Sequence, residues 1–253
     1  MKKFTKLTLI KNEQISPGIF DMHLKADEFP NISPGQFVML YVGQGEHILP
    51  RPISICDVNE VEKTVRLVYQ VVGKGTEIFS NLTSGTELKA ILPVGNGFTL
   101  SKGSKFALVG GGIGIPPMLY TAKLLKHLNP NAEITAFLGF RSDTYLVSDF
   151  EEIGVNVKVS TDDGSVGFKG NAVQNIGDEI FPYVYACGPN PMLKAVVEYA
   201  KRTDANAQIS TEERMACGVG ACVGCVVSMK DGSYKKTCVD GPVFDSKEVN
   251  FDD

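Results

Sequence analysis

Cys217, Cys222, Cys225 and Cys238 account for four of the six cysteines in this 253-residue chain. They are spaced C-x4-C-x2-C-x12-C. The first three match a spacing that grips a [2Fe–2S] cluster, with a fourth thiolate arriving from further along. A net-negative cluster needs thiolates converging from one tight loop and backbone N–H groups aimed at its sulfurs. Gly218, Gly220 and Gly224 are expected to supply a partly left-handed backbone for that purpose. No charged side chain lies between Cys217 and Cys225, so the spacing predicts a largely dry pocket. Other chemistries fit less well. Structural zinc usually sits on paired C-x2-C hooks, and one such hook is present. Disulfide frameworks belong to small secreted domains. A Rieske centre needs two histidine ligands, and His23, His47 and His127 are all far away in sequence. A cluster carries single electrons, so the rest of the chain should hold something that exchanges electrons with it.

Three other stretches carry chemistry. Arg51-Pro52-Ile53-Ser54 combines a fixed cation, a rigid strand entry and a small hydroxyl. Gly73-Lys74-Gly75-Thr76 opens a short helical stretch, where free N–H groups and a positive dipole end suit a phosphate. Gly110 to Pro117 forms a glycine-rich turn between a strand and a helix, the context of dinucleotide binding. Prolines stand where that pattern has its third glycine, and proline is tolerated at a helix's first position. Taken singly, each stretch could equally be a strand end, a capped turn or a βα turn. Cys56 reads as a small buried hydrophobe, and core packing is an open reading for Cys187, in Cys187-Gly188-Pro189, as well. Arg141 and Ser142 could meet a 2′-phosphate and Asp143 a 2′-hydroxyl; the local sequence leaves NAD against NADP open.

The elements that must position these residues fall into two textures. Residues 1–100 show short alternating runs at 5–10, 20–24, 37–42, 53–57, 64–72 and 87–92, which predict a closed or sandwiched all-β domain. A short helix is expected at 77–82. From 101 to 210, strands at 105–109, 133–140, 155–160, 183–186 and 207–210 alternate with helices at 118–128 and 192–202. That order predicts a parallel sheet covered on both faces. The net charge of −4, with acids and bases interspersed, argues against nucleic-acid binding. The first residues are basic but lack an apolar h-region and cleavage site. Nothing approaches the roughly 20 apolar residues of a membrane span. The expectation is a soluble cytoplasmic protein.

In order, these motifs resemble the ferredoxin-reductase superfamily. Arg51-Pro52-Ile53-Ser54 resembles its Arg-x-x-Ser flavin motif, with Ile53 where an aromatic often stands. Gly73-Lys74-Gly75-Thr76 resembles its pyrophosphate turn, Gly112-x-Gly114-x-x-Pro117 its nucleotide loop, and Cys187-Gly188-Pro189 its nicotinamide-side motif. Glu212-Glu213-Arg214-Met215-Ala216-Cys217-Gly218 narrows the resemblance to the electron-transfer subunits of NAD-dependent, type B dihydroorotate dehydrogenases. The resemblance implies an antiparallel flavin-binding β-barrel at 1–100, a Rossmann-like α/β NAD domain at 101–210 and a [2Fe–2S] module at 211–253. It implies FAD held by Arg51, Pro52, Ile53, Ser54, Val68, Tyr69, Gln70, Gly75 and Thr76, with Tyr69 able to replace the missing aromatic. It also implies NAD at Gly112, Gly114, Pro117 and Gly188, Cys187 beside the reacting rings, and the cluster on Cys217, Cys222, Cys225 and Cys238. The implied partner is an FMN-containing catalytic subunit, in a heterotetramer with two copies of each subunit. There, dihydroorotate oxidation in pyrimidine biosynthesis sends electrons through the cluster and FAD to NAD+. The apolar loop from Val219 to Val223 would lie near that partner. Relatives in transhydrogenase, sulfide reductase or hydrogenase complexes share the same motifs, and a zinc-stabilised binding module is a different class of reading.

Overall fold

The computed structural model describes residues 3–27, 29–43 and 48–251, and His47 lies outside them. Six strands come first: β1 (Lys3–Ser16), β2 (Ile19–Ala26), β3 (Phe37–Leu40), β4 (Arg51–Asn59), β5 (Thr64–Gln70) and, after helix α1 (Lys74–Ser80), β6 (Glu87–Val94). They form a closed antiparallel barrel in the order β1-β2-β5-β4-β3-β6. Closure leaves no unpaired strand edge. Leu7, Leu24, Val38 and Leu67 fill its interior. β1 pairs with β2 as far as Ser16, beyond the run the sequence shows, because residues 11–14 are all polar and bulges between Leu9 and Lys11 and between Gln14 and Ser16 break the alternation.

β3 is apolar on both faces, and both are buried. Val38 and Leu40 point into the barrel core. Phe37 and Met39 join Ile91 and Val94 of β6 in a second cluster that also buries Cys225 and Cys238. The outside of the barrel here is therefore a floor for the cysteine-bearing segment.

The second unit holds β7 (Lys105–Gly111), α2 (Pro116–Leu128), β8 (Glu133–Phe140), α3 (Val147–Glu152), β9 (Asn156–Thr161), β10 (Phe168–Lys169), β11 (Tyr183–Cys187), α4 (Asn190–Thr203) and β12 (Asn206–Ser210). A hairpin of β13 (Val226–Ser228) and β14 (Tyr234–Lys236) follows, then β15 (Val243–Asp245). The large sheet runs β10-β9-β8-β7-β11-β12-β15. It is parallel from β10 to β12, while β15 joins antiparallel to β12. The segment beyond residue 210 thus contributes an edge strand to the preceding sheet. Residues of α2 and α3 pack in one apolar cluster and those of α4 in another, on the opposite face. The six-residue α3 carries no sequence signal, since it is entered through Leu146 at φ 62° with no capping side chain. Among the described residues no helix is long and apolar enough to cross a membrane.

Polar ties join barrel to sheet. Lys123 Nζ of α2 reaches both carboxylate oxygens of Asp57 at 2.9 Å, and Tyr120 donates to the Ile32 carbonyl at 3.2 Å. Arg66 of β5 binds Asp21 within the barrel and Asp149 of α3 across the junction. His23 Nε2 also lies 3.2 Å from Asp21. Burial works to raise the Asp21 pKa, but hydrogen bonds from His23 and Arg66 outweigh it, so it lies below the ordinary 3.8. A depressed folded-state pKa adds stability that is complete above the unfolded value and lost as pH falls through the folded one. Asp21→Asn should therefore cost about 2 kcal/mol at neutral pH, with the gap closing below the ordinary aspartate pKa. Urea midpoints of both proteins at neutral and strongly acid pH check this; a gap that stays constant would show that the Asp21 charge contributes nothing.

Candidate functional site

β7 and β11 are neighbours, yet the chain leaves them toward opposite faces, to α2 and α4. The crevice outside such a reversal is where open α/β sheets bind ligands. Both glycine motifs sit there. Gly112–Gly114 forms a short 3-10 turn leading into α2, whose first two residues are Pro116 and Pro117. Gly114 lies against the carbonyl of Cys187, and a Cβ on it would come within 2.6 Å of the Gly188 Cα. Tyr145 donates to the Gly112 carbonyl at 2.7 Å, pinning the turn. A cleft of about 420 Å³ opens here, with Gly112, Gly188, Pro189 and Asn171 among its walls. Arg141, Ser142 and Asp143 line it too, and Ser142 Oγ is 2.9 Å from Asp143 Oδ2. Pro117 is buried in the first turn of α2 and faces neither this cleft nor the next.

A second cleft of about 440 Å³ lies on the barrel side, walled by Arg51, Pro52, Ile53 and Ser54 of β4, by Val68, Tyr69 and Gln70 of β5, and by Thr76, Gly114 and Cys187. Gln70, Ile113 and Glu212 line both clefts, so the two adjoin. The structure thus gathers most of the singled-out residues and refines how three of them act. Gly75 lies beneath the Arg51 guanidinium, where any Cβ would collide with it; it acts by being small. The Thr76 hydroxyl accepts the N–H of Val72 at 3.0 Å and of Gly73 at 3.2 Å, which caps α1. Tyr69 belongs to the barrel core, stacked on Phe20 with centroids 5.8 Å apart and its hydroxyl on Asn12. Burial holds its pKa well above the ordinary value.

Cys187 ends β11 with its thiol buried, and burial pushes its pKa up to about 12 despite a hydrogen bond with Ser210. It is a neutral thiol facing the barrel-side cleft. Cys56 is likewise buried and raised. Glu212 faces the water of both clefts yet is walled round by protein, and that partial burial raises its carboxyl pKa. Sequence reading used Glu212 only as part of a lead-in motif and passed over Ser210 and Tyr145. The Glu212-Glu213 pair, acidic residues directly after a strand at the sheet's carboxyl end, was the available signal.

Met215 lines the barrel-side cleft and packs against the apolar cluster that holds Cys225 and Cys238, joining that cleft to the cysteine-bearing segment. The loop turns through Gly218 at φ 66° and Gly220 at φ 84°, conformations that favour glycine. Gly218 also presses on Met39 of β3. Gly224 has no left-handed φ and needs no glycine on that ground, a correction to the expectation. The N–H groups of Val219 and Cys222 donate to Cys217 Sγ at 3.5 and 3.4 Å. Although burial opposes them, these donors hold the Cys217 thiol down to about 6. Cys225 and Cys238 are 2% and 0% exposed, whereas Val219 and Val223 are 47% and 72% exposed. The expected dry pocket is thus dry on its inner half and open on its outer half. Among the described residues no three His, Cys, Asp or Glu side chains gather closely enough to hold one metal ion. A [2Fe–2S] rhomb asks for two thiolates at each of two irons, and four free cysteines, one with N–H groups aimed at its sulfur, fit that demand.

Residues 212–250 match the family described as the iron-sulfur cluster binding domain of dihydroorotate dehydrogenase B. Over 256 residues the chain is 41% identical to the dihydroorotate dehydrogenase B (NAD(+)) electron transfer subunit of Streptococcus mutans, covering 97% of this chain and 98% of that one. It is 40% identical to the subunit of the same name from Clostridium acetobutylicum, covering 100% and 99%. The chain belongs to this family. Among solved structures, one of an NADH-dependent reduced ferredoxin-NADP oxidoreductase superposes with a TM-score of 0.85 at 32% identity, covering 97% and 90%. The ferredoxin reductase of carbazole 1,9a-dioxygenase shares the fold, with a TM-score of 0.70 at 19% identity over 81% and 67%. The dihydroorotate dehydrogenase B relatives span the barrel, the sheet and the cysteine loop alike.

The contact of Gly114 with the Cys187 carbonyl yields a direct test. Gly114→Ala should force the two loops apart and lower stability by about 2 kcal/mol, in the range of overpacked sites. An unchanged urea midpoint would mean the loops separate freely.

Proposed function

We propose that this chain carries electrons from a separate dihydroorotate-oxidising subunit to NAD+. In this reading FAD lies in the barrel-side cleft, NAD in the adjoining cleft, and a [2Fe–2S] cluster on Cys217, Cys222, Cys225 and Cys238. Residues 1–100 serve the flavin, 101–210 the nucleotide and 211–253 the cluster. The observation that carries the reading is the convergence of the flavin and nucleotide motifs on two adjoining clefts, with Met215 reaching from the second of them to the cysteine-bearing cluster. A flavin exchanges an electron pair with a nicotinamide and single electrons with a cluster, which is the exchange such an arrangement requires.

The chain's own residues then have separable tasks. Arg51 supplies a fixed positive charge for a phosphate, seated on Gly75. Ser54 and Gln70 present polar groups to the barrel-side cleft, and Ile53 and Val68 present apolar ones. Gly112 and Gly188 let a dinucleotide approach the backbone. Cys187, neutral and buried in the wall of the barrel-side cleft, would pack against a ring bound there and orient it without taking a proton. The exposed Val219 and Val223 beside the cluster loop offer an apolar patch to an FMN-bearing catalytic subunit, in an assembly of two copies of each. Cluster thiolates suit a reducing cytoplasm.

Cys222→Ser should cut bound iron and sulfide to a small fraction of the parent's while leaving flavin bound. Full iron and sulfide content in that variant would remove Cys222 from the ligand set. The complex purified with this chain, given dihydroorotate and NAD+, should form NADH. A complex that holds flavin and cluster and oxidises NADH with artificial acceptors, yet ignores dihydroorotate, would favour the second reading. That reading, supported by the 0.85 superposition, is a subunit of a pyridine-nucleotide and ferredoxin-linked complex.

A further inference from the structure

Thr237 is one of two residues among those described whose buried side-chain oxygen has no hydrogen-bond partner. The other, Thr135, lies mid-strand in β8 between the backbones of Ala107 and Asn156, away from any chemistry. Thr237 is 0% exposed. A hydroxyl left in that state is destabilising, and native structures rarely tolerate it unless something absent from the bare chain completes the bond.

The position of Thr237 says what that could be. Its N–H donates to the Cys225 carbonyl at 2.9 Å. This bond continues by one step the antiparallel register of β13 and β14, in which Val226 faces Lys236. Directly opposed residues send their side chains to the same face, with Cβ atoms about 5 Å apart. Cys225 packs on that face against Phe37, Met39 and Ile91, in one apolar cluster with Cys238. Thr237 therefore stands opposite one inner cysteine and directly precedes the other, in a pocket otherwise built of apolar groups.

We propose that the Thr237 hydroxyl donates a hydrogen bond to a sulfur at the buried end of the cluster and so raises the cluster's reduction potential. The inference rests on the four-cysteine reading above and adds a positioning residue to it. The physical reason is charge. Reduction adds one negative charge to the cluster, and a donor aimed at its sulfur stabilises the more negative state more strongly. The outer sulfur of Cys217 already has two N–H donors; Thr237 supplies one inside, where water does not reach.

The test is a redox titration of the purified protein followed by electron paramagnetic resonance, with iron and sulfide measured on each sample. Thr237→Val keeps the shape and removes the donor. It is expected to retain the cluster and to shift the reduced-to-oxidised ratio at fixed potential about tenfold toward oxidised, which is about 59 mV for a one-electron couple. Thr237→Ser, which keeps the hydroxyl, should titrate close to the parent. Full cluster content with an unchanged potential in Thr237→Val would overturn the proposal and leave the ligand reading intact. Loss of the cluster in Thr237→Val but not in Thr237→Ser would support a hydroxyl contact, while loss in both would assign the residue to packing alone and overturn it. A parent protein without iron and sulfide would sink the ligand reading itself.

Discussion

At the carboxyl ends of β7 and β11 the chain departs to opposite faces of the sheet, and the rest of the molecule is built around the gap this leaves. A gap between two strand ends exposes N–H groups and admits a ligand, but only if the turns lining it stay small and close. Gly114 against the Cys187 carbonyl meets that demand. The barrel then covers the gap from one side through β4 and β5, held by Lys123 to Asp57 and by Arg66 to Asp149. Neither cleft exists in the barrel or the sheet taken alone. Gln70 of the barrel and Ile113 of the sheet line both.

The cysteine-bearing segment is fixed by the same economy of connection. The chain leaves β12, walls the barrel-side cleft through Thr211 to Met215, makes the cysteine loop and hairpin, and returns as β15 beside β12. Its return passes between barrel and sheet. Asn96, just after β6, donates to the Val239 carbonyl at 2.9 Å and the Asp240 carbonyl at 3.1 Å, and Thr211 N–H donates to the Pro242 carbonyl at 2.9 Å. A segment anchored at both ends to one strand cannot drift from the cleft. For electron transfer, which weakens steeply with distance, that anchoring matters more than the segment's own small core.

What the sequence disclosed follows from which constraints are chemical and which are tertiary. The cysteine spacing was legible because coordination geometry fixes it. The nucleotide loop was legible because close backbone approach leaves no room for side chains at Gly114. Strands such as β8, apolar for most of their length, announced themselves by composition. β1 beyond Ile10 did not, because two bulges scramble its alternation. The six-residue α3 and the three-residue strands β13 to β15 are too short for periodicity to show, and they exist because neighbours hold them. Gly224 was over-read: its place between two cysteines suggested a left-handed turn, and the turn is made four and six residues earlier, by Gly220 and Gly218 with Cys222 donating back to Cys217.

One residue type in three environments shows how far local physics assigns roles here. Cys56, sealed in apolar surroundings, is pushed far up and stays an inert thiol. Cys187, buried but bordering both motifs, is raised to about 12 in spite of Ser210, and so meets whatever lies in the cleft as a neutral group. Cys217, half-exposed with two N–H groups on its sulfur, falls to about 6 and is ready to be a thiolate at neutral pH. Sequence spacing separated the four late cysteines from the other two, and for Cys217 backbone donors supply the physical reason. An amide aimed at sulfur favours the charged form that iron requires, whereas burial without one favours the form that carries no charge and binds no metal. Cys225 and Cys238 are buried like Cys56 but share an apolar pocket beside Cys217's loop. Their thiolates need compensation from inside the apolar pocket, and Thr237 is the hydroxyl placed there.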